Sequence, residues 1–143
     1  MSENSATRLV MSYGQGARDF RHWGVAGSDL HGSTLEGADL AWANLKDTDL
    51  SGADLRGAVL RGADLRDARL VHADLTGADL ICADLSGADL SGAEVEGADF
   101  AYARLEGTRL EGITLSQSQM RGTGAEWEAL TGLPLKAELG EGD

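Results

Sequence analysis

The stretch Ala73-Asp74-Leu75-Thr76-Gly77-Ala78-Asp79-Leu80-Ile81-Cys82-Ala83-Asp84-Leu85-Ser86-Gly87-Ala88-Asp89-Leu90 decides the fold, because its period is five. The same column of leucines runs without exception through Leu30, Leu35, Leu40, Leu45, Leu50, Leu55, Leu60, Leu65, Leu70, Leu75, Leu80, Leu85 and Leu90. Phe20 and Val25 extend it at one end, and Val95, Phe100, Leu105, Leu110, Leu115 and Met120 at the other. Two residues before each centre, 13 of the 14 positions from Ala38 to Ala103 are alanine, Thr48 being the exception. The residue before the centre is usually Asp, and glycine fills 13 of the 21 positions two after it.

Neither common element can use this pattern. An α-helix turns about 100° per residue, so a step of five sets successive leucines about 140° apart and no apolar stripe forms. A flat strand alternates faces with period two, so an odd step sends successive leucines to opposite sides. A short extended Ala-x-Leu segment followed by a corner does fit, provided the chain winds around its own leucines. The glycine two after the centre suits the second corner of a type II turn, where φ is positive and a Cβ is penalised. The Asp before the centre can offer its carboxylate to nearby backbone N–H groups, which favours turns over helix.

The exceptions give the number of sides. Bulky residues stand at the glycine corner as His22, Trp42, Cys82 and Tyr102, with Gly62 filling the gap, and Asp47 and Asp67 repeat the same 20-residue interval. Twenty residues are four units, so the expected coil is four-sided. Phe20 and Phe100 then share one interior column, and about five coils at about 4.8 Å each make a rod roughly 24 Å long.

Bulk properties bound the function. The chain of 143 residues reads as one domain, with 20 glycines, one proline and only 5% aromatic residues, so an aromatic-rich core is excluded. A formal net charge of −12 disfavours direct binding to nucleic-acid phosphates or an anionic membrane surface. Protein partners are expected instead, basic ones included. Cys82, the single cysteine, rules out an intramolecular disulfide, and Met1 to Tyr13 lacks the pattern of a secretory signal, so the expected compartment is the cytoplasm. No stretch approaches the roughly 18 to 20 consecutive apolar residues of a membrane span.

From about Arg18 to Arg121 the units resemble the pentapeptide repeat family, whose pattern is Ala-Asp/Asn-Leu-x-x. The resemblance implies an all-β fold, a right-handed quadrilateral parallel β-helix. Departures cluster at the ends, where Trp23 stands at a small inward position and Ile113 and Ser118 replace alanine. The expected organisation is an N-terminal segment or cap over 1–17, the β-helix of about five coils over 18–122, and a short C-terminal capping helix and tail over 123–143. The helix is read from a capping box at Thr123-Gly124-Ala125-Glu126 with Gly132 and Pro134 as its stop. Trp127, Leu130, Leu133 and Leu135 would lid the last coil or form a shared dimer surface. A solenoid needs such caps because its open edges invite polymerisation.

Sorted onto four faces, the outward residues offer two candidate surfaces. One is apolar, with Trp42, Val59, Ile81, Cys82 and Tyr102 beside Ala41 and Ala101; it reads either as an interface or as tolerated single surface residues. The other is acidic, with Glu36, Asp54, Asp74, Glu94 and Glu96 against Arg56. In the quinolone-resistance branch of the family, acidic rods mimic DNA and bind type II topoisomerases, so the resemblance raises mimicry of DNA toward a gyrase as an alternative to a general interaction module. Against it, a 24 Å rod spans only about two-thirds of a B-DNA turn, its charge is sparser than one per about 1.7 Å, and most of its Asp residues serve corners. Arg69 and Arg109 stack among Asp29, Asp49 and Asp89 as structural charges, and Arg56, Arg61 and Arg66 form a solvated basic girdle. His22, His31 and His72 fall at different heights, so no metal pair or catalytic triad is expected. No cofactor motif is present, the glycines being spaced for corners. The expectation is a non-enzymatic interaction module, with a homodimer left open.

Overall fold

The computed structural model describes residues 5–123. Backbone bridges link each pre-centre residue to the one 20 positions on, always in parallel, from Asp19↔Asp39 to Asp89↔Arg109. Four units therefore complete one circuit. The four resulting columns begin at Asp19, Gly24, Asp29 and Thr34.

Three backbone hydrogen bonds recur in nearly every unit. At Leu55 the N–H donates to the Asp74 carbonyl in the next coil at 2.9 Å, while the Asp74 N–H returns to the Ala53 carbonyl at 2.9 Å. The Ala58 N–H then closes the turn on the Leu55 carbonyl at 3.0 Å. Each side of the coil is one bridged residue wide rather than a continuous strand, because the turn claims the residues on either side. Twenty of the 21 corner residues have positive φ, Gln117 being the exception, as the second corner of a type II turn requires. The Asp carboxylate secures the other end of the turn: Asp49, Asp54, Asp79 and Asp99, among others, accept the N–H two residues on at 2.9–3.2 Å. These are the local bonds the Asp column promised.

The leucine column fills the axis. Leu55 and Leu75 are fully buried, as are Phe20 and Phe100. The alanine column lies beside it, and its short side chains leave room for four leucines per layer. Where threonine replaces alanine the hydroxyl is satisfied: Thr48 donates to the Leu45 carbonyl at 2.7 Å and Thr108 to the Leu85 carbonyl at 2.8 Å.

The N-terminal end is closed by a helix, α1 (Ser5–Gly14), which specifies the cap that the sequence left as an unassigned segment. Ala6 and Leu9 are buried in the solenoid core and Tyr13 packs against it. The Tyr13 hydroxyl donates to the Glu36 carbonyl at 2.7 Å, and the Arg18 guanidinium lies 3.7 Å above the Tyr13 ring. Trp23 meets Phe20 edge to face at 5.1 Å between centroids. A large residue is accommodated at this inward position because, among the described residues, α1 rather than another coil packs there, the Arg8 guanidinium lying 5.4 Å from the indole.

At the other end the ladder loosens. The Gln119 N–H turns back to the Ser116 carbonyl, and the side-chain Nε2 takes over its ladder duty, donating to the Val95 carbonyl at 2.8 Å and the Ala98 carbonyl at 3.0 Å. Pairing resumes at Phe100 and Tyr102, which donate to the Gln119 and Arg121 carbonyls. The expected capping helix, with Trp127, Leu130, Leu133 and Leu135, lies outside the described residues apart from its first position, Thr123.

Candidate interaction surface

The corner column His22, Trp42, Gly62, Cys82, Tyr102 forms one long edge of the rod, because the bridges keep residues 20 apart in register. Trp42 and Tyr102 are 55% and 61% exposed, the two most exposed large hydrophobic residues among those described, and Cys82 is exposed and free. Val59 and Ile81 flank the edge and are half-buried. Each ring leans over the glycine of the following coil: a Cβ on Gly62 would sit inside the Trp42 indole, and one on Gly122 inside the Tyr102 ring. The structure thus gathers Trp42, Val59, Ile81, Cys82 and Tyr102 on one side of the solenoid. Ala41 and Ala101, expected outward beside them, are buried instead. Each is a methyl between longer neighbours in register, Arg21 and Arg61 for Ala41, Ile81 and Arg121 for Ala101, so the contour closes over it.

All four side chains on this edge hold left-handed backbone, with φ of 66° at His22, 63° at Trp42, 63° at Cys82 and 61° at Tyr102. A non-glycine residue there costs about 1 to 2 kcal/mol; glycine fills 13 of the 21 corners, and Asp47, Asp67 and His72 are left-handed on the other edges.

The acidic side is also assembled as one face. Glu36, Arg56, Thr76 and Glu96 stack in register beside the ladder Asp54, Asp74, Glu94. Its charge is partly neutralised. Arg56 pairs with Asp54 at 2.7 Å, reaches Glu36 at 3.4 Å and approaches Asp74 at 3.9 Å. That guanidinium holds the Asp54 carboxyl below its usual range. Asp74 accepts both the N–H and the hydroxyl of Thr76. Glu94 and Glu96 remain exposed at the C-terminal half.

Arg61 and Arg66 do not form a free basic girdle with Arg56. Arg66 pairs with Asp64 at 2.7 Å, while Arg61 crosses to Asp79 in the next coil at 2.8 Å because Val59, the pre-centre residue of its own unit, has no carboxylate to offer. Arg69 and Arg109 alternate with Asp49 and Asp89 along one ladder, as the stacking of opposite charges anticipated. The three histidines sit apart, but His31 lies against Asp29 at 2.6 Å. That carboxylate raises the imidazole above its ordinary value, and the imidazole in turn lowers Asp29. A search for histidine pairs misses this contact, whose signal is the ordinary two-residue spacing from Asp to the residue after the centre.

A family model described as pentapeptide repeats matches in eight copies, through residues 26–62, 43–80, 58–96 and 78–117. The chain belongs to the pentapeptide repeat family. Among solved structures, the pentapeptide repeat protein Rfr23 from the cyanobacterium Cyanothece 51142 is 35% identical, with a TM-score of 0.55, covering 66% of this chain and 60% of its own. HetL, a pentapeptide repeat protein involved in heterocyst differentiation regulation in Nostoc sp. strain PCC 7120, is 35% identical with a TM-score of 0.54, over 78% of this chain and 49% of its own. QnrB1, a plasmid-mediated fluoroquinolone resistance protein, is 26% identical with a TM-score of 0.52, over 73% of this chain and 53% of its own. Among curated protein sequences none matches. This pentapeptide repeat chain therefore spans about half to three-fifths of the length of these three relatives, and shares their quadrilateral β-helix.

Proposed function

We propose that the chain is a non-enzymatic interaction module that docks a protein partner along the edge formed by Trp42, Cys82 and Tyr102. One observation carries the reading: of the seven non-glycine residues in left-handed corners among the described residues, four line this one edge, and two of those four are large exposed aromatics. Strain retained without benefit to the fold points toward use of the side chains. Aromatic anchors flanked by half-buried aliphatics are the composition of binding hot spots. Affinity capture from the source cell, with Trp42→Gly plus Tyr102→Gly beside Arg109→Ala on a face that does not adjoin this edge, tests it. The expected result is a partner lost by the first variant and kept by the second. Equal recovery by all three proteins overturns it.

A second reading is an acidic DNA mimic directed at a type II topoisomerase such as DNA gyrase, favoured by the likeness to QnrB1. The pairing of Asp54, Asp64 and Asp79 with arginines weakens it, since those carboxylates are already engaged. A supercoiling assay decides: neither inhibition nor drug protection at micromolar protein removes this reading.

A further inference from the structure

Five ladder steps stack one aspartate directly on another: Asp19 on Asp39, Asp29 on Asp49, Asp54 on Asp74, Asp64 on Asp84 and Asp79 on Asp99. Like carboxylates at this spacing repel. Four of the five pairs hold a permanent cation. Arg21 pairs with Asp19 at 2.8 Å and lies 3.9 Å from Asp39, and Arg56 serves Asp54 and Asp74 in the same way. Arg66 pairs with Asp64, and Arg61 with Asp79 while Arg121 takes Asp99 at 3.4 Å. The fifth pair, Asp29 and Asp49, has His31 where Arg21, Arg56 and Arg66 stand in theirs, two residues after the lower aspartate. A neutral imidazole supplies no charge but does supply a lone pair. The nearest arginine on that ladder, Arg69, stands one coil beyond Asp49.

One donor atom each from Asp29, His31 and Asp49 lies within 4.8 Å of the others. One oxygen of each carboxylate accepts a turn N–H, from His31 and Ser51 respectively, which fixes both side chains and leaves a second oxygen for a ligand. Asp29 and His31 are each about two-thirds exposed, so an ion enters without opening the fold. Two carboxylates and an imidazole make a mixed oxygen and nitrogen set, which suits zinc or its neighbours and disfavours magnesium and calcium.

We infer that Asp29, His31 and Asp49 form a surface site for a transition-metal dication, which clips the first coil to the second where the other stacked aspartates use arginine. Isothermal titration of the untagged full chain with zinc chloride tests it, with magnesium chloride as comparison and with His31→Ala and Asp49→Asn as variants whose melting is checked in parallel. The expected result is one saturable zinc site, no magnesium binding, and an affinity lower by about tenfold or more in each variant. In addition, substoichiometric copper should broaden NMR signals of residues 29–31 and 49–51 before others. No saturable zinc binding below about 1 mM, or affinity unchanged in both folded variants because Cys82, His22 or His72 holds the ion, overturns the assignment.

Discussion

The indole of Trp42 occupies the space that a Cβ on Gly62 would fill, so the two residues, 20 positions and one coil apart, are fitted to each other. Gly62→Ala therefore carries two penalties: left-handed backbone at φ 68°, and a collision with the ring. Gly77→Ala, with φ 69° and open space around its Cβ, carries only the first. Urea titration should show a loss of about 1 to 2 kcal/mol for Gly77→Ala and about 1 to 3 kcal/mol more for Gly62→Ala. In the Trp42→Gly background the excess at Gly62 should vanish. An excess that persists there would place the collision elsewhere.

The same strain makes a prediction of opposite sign. Cys82 is exposed and holds φ 63°, and among the described residues no hydrogen bond constrains its thiol. Cys82→Gly should leave stability unchanged or raise it by up to about 1 kcal/mol, relief of left-handed strain offsetting the greater entropy of the unfolded chain. A clear loss in thermal or urea unfolding would mean that the thiol packs into the edge, and would weaken the strain argument for the neighbouring aromatics.

Leu75 lies fully buried at the middle of the rod, with the leucine column continuing above and below it. Leu75→Ala should cost about 2 to 5 kcal/mol through lost burial and a residual cavity. Because coils share burial with their neighbours, the loss should appear as earlier unfolding of the whole stack rather than of one coil. A loss below about 1 kcal/mol would contradict the packing described.

Legibility in the sequence followed the strength of the constraint. The inward column could be read because only leucine-sized groups fill an axis ringed by alanines, and the four-unit circuit because Trp42, Cys82 and Tyr102 break the glycine corner at multiples of 20. Helix α1 was harder to read. Its inward residues Ala6, Leu9 and Tyr13 have helical spacing, but a ten-residue segment supports too few periods to stand out beside a strong repeat. The arginine pairings were hidden because they depend on the partner in three dimensions: Arg56 and Arg66 turn to their own unit, while Arg61 crosses a coil for want of an acid at Val59. The outward expectation for Ala41 and Ala101 fails because position in the repeat gives a direction, whereas burial depends on the length of the neighbours in register.

Gln119 closes the last described coil by lending its side chain to the Ala98 carbonyl that its own backbone has left, and to the neighbouring Val95 carbonyl. Gln119→Ala should strand the Ala98 carbonyl, the Val95 carbonyl keeping the Ala98 N–H, at a cost of about 1 to 3 kcal/mol to local opening. Hydrogen exchange is the measure. The amides of Phe100 and Tyr102, which donate to residues 119 and 121, should exchange faster, while Leu55 and Leu75 keep the protection of the global fold. Uniform acceleration through the rod, or none at Phe100, would show that Gln119 does not hold this edge.

Acid should loosen the solenoid. Arg21 bonds Asp19 and lowers its carboxyl to about 2, Arg56 and Arg66 lower Asp54 and Asp64, and hydrogen bonds from Ser51 and Ser91 lower Asp49 and Asp89. Groups depressed below their unfolded value of about 3.9 leave the native state binding fewer protons than the unfolded chain, so their stabilisation is complete above that value and is lost as pH falls through the native values. The surface pairs are screened and individually weak, but the turn-capping bonds recur in every layer. The thermal midpoint should therefore change little between pH 7 and pH 5, where relief of the −12 net charge works in the opposite direction, and should fall steadily from about pH 4 to pH 2. In high salt the fall should remain, since bonds from carboxylate to backbone N–H are short-ranged and resist screening. A midpoint that holds constant down to pH 2 would mean that the aspartate column is not what secures the corners.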